Sequence, residues 1–134
     1  MSVRLRYRIE TSVSSSPADL KDLGNVCLEV TSDAPSEGGI WKTRVLKNTN
    51  PVLPLDSISE ATFLMLRIVP ADPTEVLTPI EITLNGTATL RLLPVGTSNT
   101  AHFLITAEGL TSLQIANTDP LAVDADVTIG TCGD

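Results

Sequence analysis

Aromatic residues are scarce in this chain. Of 134 residues only Tyr7, Trp41, Phe63 and Phe103 carry aromatic rings of that kind, 3% of the total. A core with so few rings has to be built from Leu, Val, Ile and Ala, and the 42% apolar fraction suffices for that. Histidine occurs once, at His102, and cysteine twice, at Cys27 and Cys132. There is no CxxC and no HxxxH, so the usual spacings of metal ligands are missing. Basic residues number nine against sixteen acidic ones, for a net charge of −7. That balance argues against nucleic acid, and against an anionic membrane surface, as partner. The longest apolar run, "FLMLRIV" (63–69), is interrupted by Arg67 and is far too short to span a bilayer. The charged, strand-like start has no apolar h-region, so no secretion signal is expected and the protein is expected to be made in the cytoplasm.

Catalytic patterns are missing as well. His102 lies in "AHFLIT", an alternating stretch that reads as a half-exposed strand histidine rather than a general base. Serines are many, but none sits in a GxSxG elbow. Asp119, Asp124 and Asp126 have the spacing of no known calcium loop, and the last two read as the wet face of a strand. Neither a cofactor nor a metal is expected, and no enzymatic activity. Cytoplasmic synthesis also disfavours a Cys27–Cys132 disulfide. Cys27, in "NVCLEV", reads as a small buried hydrophobe, and Cys132, in "GTCGD", as an exposed residue of a tail. Asn85-Gly86-Thr87 matches a glycosylation sequon but reads better as a turn.

What the chain does contain is short alternating segments. In "VRLRYRIET" apolar Val3, Leu5, Tyr7 and Ile9 alternate with Arg4, Arg6, Arg8 and Glu10, the pattern of a strand with one wet face. Similar segments recur about every ten residues, with turn residues between them. Eight or nine short strands so spaced, without a long amphipathic helix, give an all-β fold: an antiparallel β-sandwich or jelly-roll-like barrel. A single domain over residues 1–134 is expected. At most one short helical turn is expected, near residues 17–23, with Ser16 as N-cap, Pro17 at the first position and Gly24 as stop. "ATFLMLRIV" (61–69) is apolar on both faces, as in a central strand covered on both sides or one lying at a subunit contact. "IEITLNGTATLRLL" (80–93) reads as a hairpin, with Asn85-Gly86 as a type I′ turn pairing 80–84 with 87–92. The expected core is Leu64, Leu66, Ile68, Ile80, Ile82, Leu90, Leu92, Phe103, Ile105, Val127 and Ile129.

The charges are unevenly laid out. Residues 1–47 hold seven basic and six acidic residues, +1, whereas 48–134 hold two and ten, −8. The basic groups cluster as Arg4, Arg6 and Arg8 and again as Lys42, Arg44 and Lys47. They serve either to guard an edge strand by charge or to form an electropositive face that meets an acidic neighbour. Trp41 reads as a core or interface residue. As an exposed residue beside acids in a loop groove it would instead suit sugar stacking. The candidate interface is therefore Arg4, Arg6, Arg8, Trp41, Lys42 and Arg44.

Three segments together resemble the small β-sandwich structural proteins of tailed-phage virions. They are "MSVRLRYRIETS" (1–12), "GGIWKTRVLKNTNPVLPL" (38–55) and "HFLITAEGLTSLQIANTDPLAVDADVTIGTCGD" (102–134). The resemblance implies a non-enzymatic virion subunit made in the host cytoplasm: a capsid decoration or cement protein, a minor capsid subunit, or a tail component. Its implied partners are other copies of itself, often as a trimer, and a capsid or tail protein. The alternative within the same setting is a receptor- or carbohydrate-binding tail module.

Overall fold

A computed structural model of the chain describes residues 4–14, 22–32, 37–53, 55, 61–95 and 99–133. The fold is all-β: the described residues form ten strands and no helix. The chain divides into two compact units, Met1–Ser36 and Glu37–Asp134.

The first unit is an antiparallel ribbon of β1 (Leu5–Ser14) and β2 (Asp22–Ser32). Its register sets Tyr7 across from Val30, Ile9 from Leu28 and Thr11 from Val26. The intervening positions set Arg6 across from Thr31, Arg8 from Glu29 and Glu10 from Cys27. Alternate residues of a strand share a side, so Arg6 and Arg8 fall on one face of the ribbon and Leu5 and Ile9 on the other. The helical turn expected near 17–23 lies outside the described residues up to residue 21. From Asp22 onward it is corrected: Asp22, Leu23 and the expected stop Gly24 all belong to β2.

The second unit is sandwich-like, with two four-stranded antiparallel sheets. One has the order β3-β10-β5-β8, from β3 (Glu37–Val45), β10 (Ala125–Gly133), β5 (Ala61–Pro70) and β8 (Ala101–Leu110). The other has the order β4-β9-β6-β7, from β4 (Val52–Leu53), β9 (Leu113–Ala116), β6 (Ile80–Leu84) and β7 (Ala88–Leu92). The core lies on the inner rows of the central strands. Leu64, Leu66 and Ile68 of β5, Val127 and Ile129 of β10, Ile80 and Ile82 of β6, and Leu113 and Ile115 of β9 are fully buried. Burying each such side chain stabilises the fold by roughly 1.5–3 kcal/mol relative to leaving it in water.

The core differs from expectation where strands reach an edge. Leu90 lies on the inner row of β7, across from Ile82, yet is 47% exposed. Leu92, Phe103 and Ile105 are only half-buried against the core. Among the described strands β7 and β8 are the last of their sheets, so each inner row has a neighbouring described strand on one side only. Cys132 is a second correction. It is a buried free thiol inside β10, paired with Gly38 on one side and Phe63 on the other. Burial pushes its pKa up. The hairpin forms on Asn85 and Gly86, with φ of 52° and 71°. The Thr87 N–H donates to the Leu84 carbonyl at 3.1 Å, but pairing resumes at Ala88, not Thr87, which stays in the loop.

Candidate assembly surfaces

Arg4, Arg6 and Arg8 are exposed, while Leu5 and Ile9, between and beyond them, are half-buried. The strand period accounts for this: every second residue of β1 points to the same side. The arginine row therefore exists as one face of the ribbon. Lys42, Arg44 and Trp41 belong to the other compact unit.

Within that unit the strand period separates Trp41 from its neighbours. Trp41 stands across from Ile129 and packs half-buried against the core, whereas Lys42 and Arg44 lie exposed on the outer face. Arg44 spends its fork on its own chain. Its Nε donates to Asp126 Oδ1 at 2.8 Å and its Nη2 to Oδ2 at 3.4 Å. This hydrogen bond is the main reason that the Asp126 carboxyl lies below its usual pKa and the Arg44 guanidinium above its own.

Register then builds a row that sequence spacing does not reveal. Lys42 is paired with Thr128, Thr128 with Arg67, and Arg67 with His102. One step along the strands runs a second outer row of Ile40, Gly130, Met65 and Leu104. Ile40 is 75% exposed. The signal for Arg67 was its interruption of an apolar run; its neighbours across the sheet could be found only from pairing.

On the side of the sandwich where β7 and β8 are the outermost described strands, apolar residues are exposed or half-buried. Leu90, Leu93 and Val95 are exposed there, and the inner-row residues Phe103, Ile105 and Ala107 of β8 are half-buried. Elsewhere, a shallow cavity of about 260 Å³ holds Glu81, Arg91 and Asp119 between Pro79 and Pro120. Arg91 Nη2 lies 3.6 Å from Asp119 Oδ2. The cavity lining includes no aromatic ring on which a sugar could stack. Among the described residues no group of three or more His, Cys, Asp or Glu is arranged to hold a metal ion. Nor, among the described residues, is any helix long and apolar enough to cross a membrane.

No protein-family model and no curated protein matches the chain. Among solved structures, a chain from the disulfide-linked pili of Bacillus endospore appendages is similar to it at a TM-score of 0.39 and 18% identity. The match covers 78% of this chain and 98% of that one.

Proposed function

We propose that the chain is a non-enzymatic structural subunit that works through contacts between copies of itself. The observation that carries this reading is the apolar exposure at the side of the sandwich where β7 and β8 are the outermost described strands. Leu90, Leu93 and Val95 lie 47%, 60% and 68% exposed beside two sheet edges. Single exposed hydrophobic residues are ordinary, but several near the outermost described strands of two sheets make a surface suited to pairing. The packing of Trp41 against the core supports the same reading over a carbohydrate-binding module, since it takes the one large indole away from a stacking role. The finer assignment is a capsid decoration or cement subunit, or a minor capsid subunit, of a tailed bacteriophage. It rests on the resemblance of residues 1–12, 38–55 and 102–134 to such proteins.

Sedimentation velocity over a range of concentrations tests the general reading. Self-association that grows with concentration is the expected result. A strictly monomeric chain up to about 1 mM, where even weak specific contacts register, overturns it. Cryo-EM of the native assembly tests the virion setting, by whether the sandwich is found on a shell or a tail.

A further inference from the structure

Strand β8 carries two ionisable side chains, His102 near its start and Glu108 near its end. Both are exposed. They fall on the outer face together with Leu104 and Thr106, because residues two apart on a strand share a side. The strand rise over that interval holds them roughly 20 Å apart, so they cannot meet within one chain. His102 also ends a row that contains no carboxylate: Lys42, Thr128, Arg67 and His102 stand side by side across the sheet. Neither Arg67 nor His102 has an ion-pair or hydrogen-bond partner among the described residues. The row therefore presents positive charge to whatever lies next to β8.

Of the four outermost described strands of the sandwich, β8 is the one suited to backbone pairing. β4 has two residues and β7 five. β3 carries Lys42 and Arg44, the kind of charge that discourages edge pairing. β8 has ten residues, none of them Lys, Arg or Pro. Its alternation is regular up to Glu108, and Gly109, with φ of 67°, then breaks it.

A second copy of the same strand fits this edge in a defined register. Antiparallel pairing keeps inner residues across from inner ones, so a two-fold axis sets one residue directly across from its own copy. The axes that leave the longest overlap of residues 101–108 lie at Leu104 and at Ile105. With the axis at Ile105, His102 stands across from Glu108, Phe103 from Ala107 and Leu104 from Thr106, and symmetry makes each pairing twice. With the axis at Leu104, Glu108 stands across from Thr100 and gains no cation.

We infer that two copies join edge to edge through β8, antiparallel about a two-fold axis at Ile105, with one sheet continuous across the pair. The contact is isologous and consumes both β8 edges, so by itself it closes at a dimer. Glu108 of the partner copy completes the cationic row at His102, and the half-buried Phe103, Ile105 and Ala107 gain cover on the side away from β5. The inference deepens the assembly reading above and rests on it.

Charge exchange tests it, read by sedimentation velocity of the full chain. His102→Glu sets carboxylate against carboxylate at both ends of the contact and is expected to raise the dimer Kd about tenfold or more. Glu108→Lys is expected to weaken the dimer too, by setting an ammonium against the cationic row. The double variant His102→Glu/Glu108→Lys re-forms both pairs with their signs exchanged, and its Kd is expected to return to within about threefold of wild type. Recovery also shows that both substitutions leave the chain folded. Wild-type-like association of both single variants overturns the β8 pairing while leaving assembly itself standing. So does a double variant that binds no tighter than the single ones, or rescue of His102→Glu by Thr106→Lys but not by Glu108→Lys, which belongs to the axis at Leu104. A wild type that never associates overturns both readings.

Discussion

Asparagine does much of the work of turning this chain. Asn48, Asn85 and Asn99 are the described non-glycine residues with positive φ, at 62°, 52° and 52°. Asparagine tolerates that region because its short amide can bond locally. Here the amides reach further. Asn85 Oδ1 accepts from the Thr111 N–H at 2.8 Å and its Nδ2 donates to the Gly109 carbonyl at 2.7 Å, tying the β6–β7 turn to the connection that carries the chain from β8 in one sheet to β9 in the other. Asn99 does the same for the Pro-rich loop, accepting from the Leu77 N–H and donating to the Glu75 carbonyl, both at 2.7 Å. Asn117 is fully buried, and its Nδ2 donates to the carbonyls of Val45 at 3.3 Å and Val123 at 2.8 Å. Asn117→Ala is expected to cost about 1–3 kcal/mol for each carbonyl left without a donor, read by urea denaturation. Gly86→Val is expected to cost on the order of 1–3 kcal/mol, because φ of 71° is strained for a β-branched residue although open space surrounds its Cβ position. A melting temperature unchanged in Gly86→Val would show that the turn readily adopts another conformation.

At the level of strands, position within the sheet sets what a side chain contributes. Ile129, at the centre of β10, has neighbours on β3 and β5, whereas Leu90 on β7 has a neighbouring strand on one side only. Ile129→Ala is therefore expected to destabilise the fold by about 2–5 kcal/mol. Leu90→Ala is expected to cost about 1 kcal/mol or less, since roughly half of that side chain is already in water. Equal losses in chemical denaturation of the two variants would contradict the edge assignment. The Arg44–Asp126 pair joins β3 to β10 and makes stability depend on pH. The Asp126 pKa is lowered in the folded state, so its contribution is present above the unfolded value of about 3.9 and fades as pH falls through the folded value. Thermal melts of wild type and Asp126→Asn are expected to differ slightly at neutral pH and to converge in the acid range. The side chains are 57% and 41% exposed, so salt is expected to narrow the neutral-pH difference too.

For the whole molecule the question is how an acidic chain uses a basic face. Arg4, Arg6 and Arg8 are exposed on a ribbon that forms its own compact unit. Arginine suits a contact with carboxylates because its planar fork is weakly hydrated and donates twice. Exposed charges alone bring little affinity, so a contact of this kind between copies would also have to bury apolar area, with the arginines adding orientation and rate of encounter. Changing Arg4, Arg6 and Arg8 together to Ser is expected to leave the chain folded by circular dichroism while weakening association. Wild-type association is expected to loosen toward about 1 M salt, where the screening length falls to about 3 Å. If the triple variant assembles as wild type does and ignores salt, the arginines only guard a solvated strand.

Local chemistry was legible in the residues themselves. The period-two alternation of β1, β6 and β10, the Asn85-Gly86 turn and the all-β class depend on neighbours two or three positions apart, and a sequence displays those directly. The alternation also identified Leu64, Leu66, Ile68, Ile80, Ile82, Val127 and Ile129 as core, because central strands bury whatever their inner row carries. Which strand is central is another matter, set by pairing between segments as far apart as β3 and β10. No local pattern distinguishes Leu90 from Ile82, yet one is half in water and the other is fully buried. The same holds for "GTCGD". Its glycines and small residues suggest a tail, and only two pairing partners, β3 and β5, make Cys132 part of a buried strand. The row Lys42, Arg67 and His102 likewise exists only through register. Alternation assigns a side chain to a face of its strand; long-range hydrogen bonding decides what stands beside that face, and with it burial, charge neighbours and the open edge.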